Sequence, residues 1–160
     1  MLSTKIRPYE PADLAECIGC FNSNIPRYFT VAELGDYREW LESIGSQTNT
    51  GVRSEAYYVV SNEDQLVGCG GFGLADNKHD IVFAWGLIHK EHQKRGYGKA
   101  LAMFRLDIIR HKFPTADVIL DTTQHTYRFF EKLGFVIEKV TKDFYAPGLD
   151  RYDMRLKAMP

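Results

Sequence analysis

Long apolar runs are missing from this chain. No stretch of its 160 residues approaches the roughly 20 consecutive apolar side chains that a membrane-spanning helix needs. Cysteine is scarce: there are three, an odd and sparse set that builds no disulfide framework. Net charge is almost absent. Twenty Lys and Arg oppose 21 Asp and Glu for a formal charge of −1, which leaves no general attraction to nucleic acid or to an anionic membrane surface. Internal repeats and low-complexity tracts are also lacking. Residues 1–10 have no apolar centre of a signal peptide and carry Lys5, Arg7 and Pro8 in a strand-like pattern, so the cytosol is the expected compartment. What remains is ordinary for a globular protein: 44% hydrophobic and 26% charged residues, values that exclude disorder and fibre. One domain over residues 1–160 is expected. Aromatic residues, at 13%, are abundant enough to line a pocket as well as a core.

The hydrophobic spacing predicts alternating strands and helices. Residues 4–8 read as a short strand. Pro11 stands where a first helical position falls, with Asp13 in the first turn. Leu14, Cys17, Ile18 and Phe21 follow at helical spacing. A loop over residues 22–29 leads to Thr30 and Glu33, a capping box, and to a second helix with Leu34, Tyr37, Leu41 and Ile44 on one side. Residues 45–54 are polar and read as a loop. Strand signals cover residues 56–60, 65–74 and 81–88, with turns at 61–64 and 75–78. Residues 97–112 form a helix that is apolar on most sides, as expected of one buried against a sheet, and Pro114 ends it. A short strand at 118–120 and a helix at 126–133 stopped by Gly134 come next. Two last strands, 135–140 and 151–156, are joined by a loop containing Pro147 and Gly148. Hairpins combined with one strand–helix–strand crossover predict a mixed sheet with helices packed on it, an α+β or α/β class.

The stretch that carries chemistry is Gln93-Lys94-Arg95-Gly96-Tyr97-Gly98-Lys99-Ala100, between an apolar strand and a buried helix. A glycine-rich strand-to-helix turn leaves several backbone N–H groups unpaired, and with the positive end of the helix dipole they make an anion site. Gly96 and Gly98 let the backbone approach a phosphate closely. Lys94, Arg95 and Lys99 add positive charge, with Lys90 just upstream. This is a diphosphate-binding design. It is not a Walker loop, since position 93 is Gln and Ala100 follows Lys99. The literal GxGxxG at Gly68, Gly70 and Gly73 lies inside a strand and leads to a turn, so a bulge, a kink or a close strand contact is expected there.

Other polar motifs read as structure. Cys17-Ile18-Gly19-Cys20 lies late in a helix with no second ligand pair, so two buried thiols are expected. His89 and His92 lack the carboxylate and third ligand of a metal site, and no metal is expected. Strand alternation splits Tyr57 and Tyr58 between the two faces.

Gln93-x-x-Gly96-x-Gly98 between strand and helix is the pattern QxxGxG/A, and Phe129-Phe130-Glu131-Lys132-Leu133-Gly134-Phe135 resembles the segment "LYEKLGF". In both motifs, in their spacing and in element order over almost the whole chain, the sequence resembles the GNAT superfamily of acetyl-CoA-dependent N-acetyltransferases. The resemblance implies a mixed, mostly antiparallel twisted sheet of six to seven strands flanked by about four helices. It implies that strands four and five splay apart to admit pantetheine of acetyl-CoA. The backbone of Leu87 and Ile88 would then bond that arm, with an N–H at Ile88 polarising the thioester carbonyl. The pyrophosphate would rest on the loop Gln93, Lys94, Arg95, Gly96, Tyr97, Gly98, Lys99 and Ala100. Thr123, Phe129, Phe130 and Lys132 would supply further cofactor contacts.

Two departures from the family pattern stand out. The Tyr that many members use to protonate the departing thiol is Phe130 here, and the customary Asn falls at Thr123. Tyr127, His125 and Tyr145 are the candidates for a replacement acid. Asp80, Glu91 and Asp121, or a water relay, are candidates for the base. The acceptor implied is a primary amine of a small molecule, a protein N-terminus or a lysine, with residues 22–29 and 144–150 walling its site. Many relatives are homodimers. Two rival readings are an acyl-CoA-binding module without turnover and a transferase of another acyl group, such as propionyl or succinyl.

Overall fold

In the computed structural model, which describes residues 4–46 and 55–159, seven strands form one sheet. They are β1 (Thr4–Pro8), β2 (Glu55–Asn62), β3 (Gln65–Leu74), β4 (Ile81–Ile88), β5 (Val118–Thr122), β6 (Val136–Ala146) and β7 (Leu149–Leu156). The spatial order is β1-β2-β3-β4-β5-β7-β6. Every neighbouring pair is antiparallel except β4 and β5, which are parallel. Four α-helices accompany them: α1 (Leu14–Ser23), α2 (Val31–Ser46), α3 (Tyr97–Lys112) and α4 (Tyr127–Lys132). This mixed sheet with splayed β4 and β5 is the α+β architecture expected.

The helices divide between the two faces of the sheet. Cys17, Ile18, Cys20 and Phe21 of α1 and Tyr37 and Leu41 of α2 pack on Tyr57, Val59, Cys69 and Leu87. On the other face Ala102, Leu106 and Ile109 of α3 pack with Phe72, Ile81, Phe83, Val118 and Leu120, and Phe129 and Phe130 of α4 join them. Tyr57 and Tyr58 face opposite ways, Tyr57 into the first cluster and Tyr58 into the second. The capping box forms: Glu33 N–H donates to Thr30 Oγ1 at 3.3 Å and Thr30 N–H donates to Glu33 Oε1 at 3.0 Å. Cys17 and Cys20 are buried free thiols.

Glycines in β3 let neighbouring strands come close. A Cβ on Gly68 would lie 2.8 Å from the Leu87 carbonyl oxygen, too near for any side chain. The sequence GxGxxG is therefore a packing feature of β3, in accord with its place inside a strand.

Two connections are tighter than the sequence suggested. The turn expected at 61–64 is only Glu63-Asp64, with φ of 51° and 67°, the left-handed pair that a two-residue hairpin requires. The loop expected over residues 144–150 is largely strand, since β6 runs to Ala146 and β7 starts at Leu149, and these two residues pair. Pro147 and Gly148 signal a turn locally. The ladder extends because Asp143 N–H donates to Asp150 Oδ1 at 2.9 Å and Gly148 N–H donates to Asp143 Oδ1 at 2.7 Å. Of the loop expected at 45–54, residues 47–54 lie outside the described residues, and 45–46 belong to α2.

β4 and β5 pair only through Ile81 with Val118 and Val82 with Ile119. An ion cluster pins this closed end. Arg155 Nη1 donates to Asp80 Oδ2 at 3.0 Å and to Asp117 Oδ2 at 3.1 Å, and its Nε donates to Glu138. Burial works against the Asp80 charge, but hydrogen bonds from Asn77, Arg155 and His79 outweigh it and hold the carboxyl well below its usual range. Asp117 is lowered by the Ala158 N–H and by Arg155. Such depressed groups stabilise the fold above the unfolded carboxylate pKa of about 4, and that contribution is lost as pH falls through their lower folded values. Arg155→Met is expected to cost about 3 kcal/mol at pH 7. The difference from the parent should shrink below about pH 4, as denaturant titrations at several pH values will measure.

Candidate active site

Beyond Val82 the two parallel strands part and β4 continues alone to Ile88. β4 is bulged there: its register with β3 shifts between Cys69 and Gly71, where Trp85 and Gly86 stand against a single residue. Trp85 takes φ 44°, a left-handed conformation costly for a bulky side chain. Its surroundings hold it. Tyr57 Oη donates to the Trp85 carbonyl at 2.7 Å, and the indole packs against Tyr37 and Phe21 at centroid distances of 5.3 and 6.0 Å.

Past the bulge, the backbone of β4 has one edge available. The Ile88 carbonyl accepts from Gln93 Nε2 and from Asn24 Nδ2, both at 3.0 Å, whereas His89 N–H donates to Val67 on β3 at 2.8 Å. N–H and C=O of one extended residue point to the same strand edge. Ile88 therefore turns its N–H away from β3, toward the gap left by β5. Gln93 itself points inward: its Nε2 also donates to Asn24 Oδ1 at 2.6 Å. Its amide ties the loop to the C-terminal end of α1, where Lys90 N–H also donates to Ser23 Oγ at 3.0 Å.

The loop then makes an anion cradle. Lys94 has φ 63° and Gly96 has φ 90°, left-handed conformations that turn successive N–H groups to one side. Gly96 is the N-cap of α3, whose first-turn N–H groups have no partners within the helix. Ala100 N–H closes that turn on the Gly96 carbonyl at 3.0 Å. Lys94, Arg95 and Lys99 are exposed, and among the described residues none of them makes an ion pair. Tyr97 is buried against Val60, Val67 and Leu101 and anchors the helix start. At Gly98, a Cβ would touch Ile88 and the Phe129 ring at 3.7 Å, so α3, α4 and the end of β4 meet at this point. These features suit the diphosphate and pantetheine of coenzyme A.

Ahead of α4, the Thr123 hydroxyl and carbonyl are engaged by N–H groups of His125, Thr126 and Tyr127, so Thr123 fixes the turn that leads into the helix, whose N-cap is Thr126. Phe130 lies edge-on to Phe129 and Phe135 at 5.0 and 5.7 Å, while Lys132 is exposed. Tyr127 stacks on Tyr152 at 4.4 Å, and its hydroxyl accepts from Arg128 at 3.1 Å.

The candidates for proton transfer separate. Tyr127 belongs to the α3 and α4 face. His125 lies on the opposite side of the sheet, edge-on to Tyr28 at 6.0 Å. It borders a cavity of about 300 Å³ between residues 25–31 and the β6–β7 turn, lined by Ile25, Phe29, Val31, Ala146 and Leu149 among others. Tyr145 is a residue of strand β6, and its hydroxyl donates to Asp121 Oδ2. Burial first, and then the Asp121 charge, push the Tyr145 hydroxyl pKa up, so it stays a donor at neutral pH. Val118 and Leu120 point to the α3 face, so alternation turns Asp121 to the face of α1 and α2. Glu33 senses the same charge: burial and then Asp121 raise its pKa, against the Thr30 hydrogen bonds. Asp80 belongs to the closed end of β4, bound to Arg155, and Glu91 is exposed in a short 3₁₀ turn at Lys90–His92. Of the three carboxylates considered for a base, only Asp121 borders the splay on its open side.

Sequence reasoning did not single out Asn24, the Trp85-Gly86 bulge or the partnership of Asp121 with Tyr145. No local signal marks them: Asn24 looks like a loop residue, and a bulge shows only in strand register.

A splayed, bulged strand that runs into a glycine-rich helix start has the form of a site for a coenzyme A thioester. The model of the acetyltransferase (GNAT) family matches residues 18–135, and the chain belongs to that family. The sequence has no match among curated proteins. Its fold is similar to that of a GNAT-family protein from Desulfovibrio desulfuricans, with 20% identity, TM-score 0.79, and 98% of this chain and 99% of the other covered. It is similar to the ribosomal-protein-S18-alanine N-acetyltransferase of Escherichia coli at 14% identity and TM-score 0.75, covering 99% and 96%. YncA of Salmonella typhimurium, solved with its cofactor acetyl-CoA, matches at 18% identity and TM-score 0.73, covering 98% and 94%.

Proposed function

We propose that the protein transfers the acetyl group of acetyl-CoA to a primary amine, by direct attack with both substrates bound. The observation that carries this reading is the alignment of three features: the cradle at residues 94–99, the outward N–H of Ile88, and Asp121 across the gap. Bound acetyl-CoA supplies a thioester as the acyl donor. The chain's own groups do the rest. N–H groups of the loop and the Lys94, Arg95 and Lys99 charges hold the diphosphate. Leu87 spends its backbone on β3, opposite Cys69, so the open edge at Ile88 aligns the pantetheine arm, and Ile88 N–H donates to the thioester oxygen as negative charge grows on it. Asp121 takes the proton of the incoming ammonium, steadied by Tyr145. The C–N bond forms, the C–S bond breaks, the sulfur leaves as a thiolate, and the second proton of the attacking nitrogen passes to that thiolate, leaving a neutral amide and a thiol. A thiol pKa near 8.5 makes that departure easy enough to go without a dedicated acid.

The cavity lined by His125 and Phe29 is the proposed acceptor site. The E. coli neighbour's acceptor is a protein alanine, so amino-terminal peptides belong in any screen beside small amines. Thiol release from acetyl-CoA over such a panel tests the reading: an amine-dependent signal supports it, and none with any amine sinks it. A binding module without turnover is favoured by one observation, the missing hydroxyl at Phe130. Phe130→Tyr is expected to raise kcat less than about threefold. A rise of a hundredfold, on the scale of general acid catalysis, would show that the site lacks an acid it needs.

A further inference from the structure

Arg105, in the middle of α3, is 4% exposed and has no acidic partner among the described residues. Its guanidinium lies over the Phe83 ring, with Cζ 3.9 Å from the centroid. Nη1 donates to the Gly71 carbonyl at 3.0 Å and Nε to the Leu101 carbonyl at 3.4 Å. Among the described residues Nη2 makes no hydrogen bond and no carboxylate pairs with the group. Burial lowers its pKa to about 10, so it is still a cation at neutral pH. A buried charge left unpaired is strongly destabilising, and two carbonyls and a ring offset only part of that.

The sheet is cut away around this cation. A Cβ on Gly70 would stand 3.2 Å from Cζ, and one on Gly86 would stand 3.2 Å from Nη2. Gly86 is exposed. It belongs to the bulge, on the stretch of β4 that β5 has left. Only bare backbone therefore separates the unpartnered nitrogen from the splay. The direction matters as well. A thioester held at Ile88, with its diphosphate at residues 94–99, extends its acyl group back along β4 toward Gly86. The two-residue step from Ile88 to Gly86 is about 7 Å, the reach of a short chain with a terminal acid.

We infer that the splay also takes a coenzyme A thioester whose short acyl chain ends in a carboxylate, of the malonyl or succinyl class, and that Arg105 Nη2 pairs with that carboxylate. The inference rests on the acyl-CoA reading of the site. Transfer of such a group proceeds with the same bond changes, and the amine product carries a negative charge in place of its positive one.

Calorimetric titration separates charge from chain length. Succinyl-CoA is compared with butyryl-CoA, malonyl-CoA with propionyl-CoA, and acetyl-CoA serves as the baseline. In the parent protein at least one acid should bind tenfold or more tighter than its uncharged counterpart. In Arg105→Met that preference should fall to about one while acetyl-CoA binds as before. Gly86→Ala, which covers Nη2 without removing the charge, should also erase the preference, so the test survives if Arg105→Met fails to fold. The inference is overturned if neither acid is preferred, or if the preference persists in a folded variant. Acetyl-CoA binding without any acid preference sinks this inference alone. Absence of binding by every thioester sinks the acyl-CoA reading with it.

Discussion

Gly96→Asp is expected to weaken acetyl-CoA binding by at least a hundredfold, about 2.7 kcal/mol, and to leave the protein folded. A side chain at Gly96 meets nothing within 4 Å, so there is no clash to unfold the helix start. Its φ of 90° costs an L-residue about 1–2 kcal/mol, which a domain of this size can bear. The loss arises instead from charge. A carboxylate would stand at the N-cap of α3, among the N–H groups that are to receive a diphosphate, and would compete for them and repel it. Gly148→Asp is the control. It has a φ of 79° and equally open surroundings, but lies in the β6–β7 turn far along the chain from the cradle. Calorimetry should find acetyl-CoA affinity intact there and lost in Gly96→Asp. Equal losses in both variants would mean that strain, not the cradle, was being measured.

Asp121→Asn should lower kcat by 10²–10³ with acetyl-CoA affinity unchanged, the size expected for removal of a general base. The amide retains an acceptor for the Tyr145 hydroxyl, so the local structure survives and only the ability to take a proton is lost. Tyr145→Phe removes the partner and keeps the carboxylate. Its effect on kcat should be smaller, about tenfold, because the carboxylate stays and loses only the hydroxyl that positions it. Arg151 lies 3.9 Å from Asp121 and still helps to hold it in place. If Asp121→Asn turns over as fast as the parent, the proton leaves through water and the proposed base is wrong. Single-turnover rates at saturating acetyl-CoA, measured across pH, separate the two cases.

Both variants bear on features of different legibility. The cradle was readable because it is local. An anion site made of backbone N–H groups needs only glycine at two nearby positions, flanking cations and a helix to follow, all within Gln93 to Ala100. The carboxylate was not. Asp80, Glu91 and Asp121 are all carboxylates, and in the sequence each flanks a strand. Only the register with β7 and the approach of Tyr145, 24 residues away, distinguish Asp121. Likewise Gln93 reads as part of a phosphate loop, yet its side chain is spent on Asn24, 69 residues earlier.

Family membership, the glycine-rich turn at the start of α3, the capping box at Thr30 and Glu33, and nearly every helix and strand were legible in the order of residues alone. These depend on periodicity and on neighbours within one or two turns, which a single chain displays directly. Long-range packing set where the splay begins, how Trp85 and Gly86 bulge, which face Asp121 takes, and that β6 runs on to Ala146 and β7 starts at Leu149, with only residues 147–148 left between them. It alone isolated Arg105, whose place in an apolar helix signals nothing until Gly70 and Gly86 come to rest around it. The physical reason is the same in each case: register, burial and the pairing of charge are settled between residues far apart in the chain, and local propensity yields to whichever packing satisfies them.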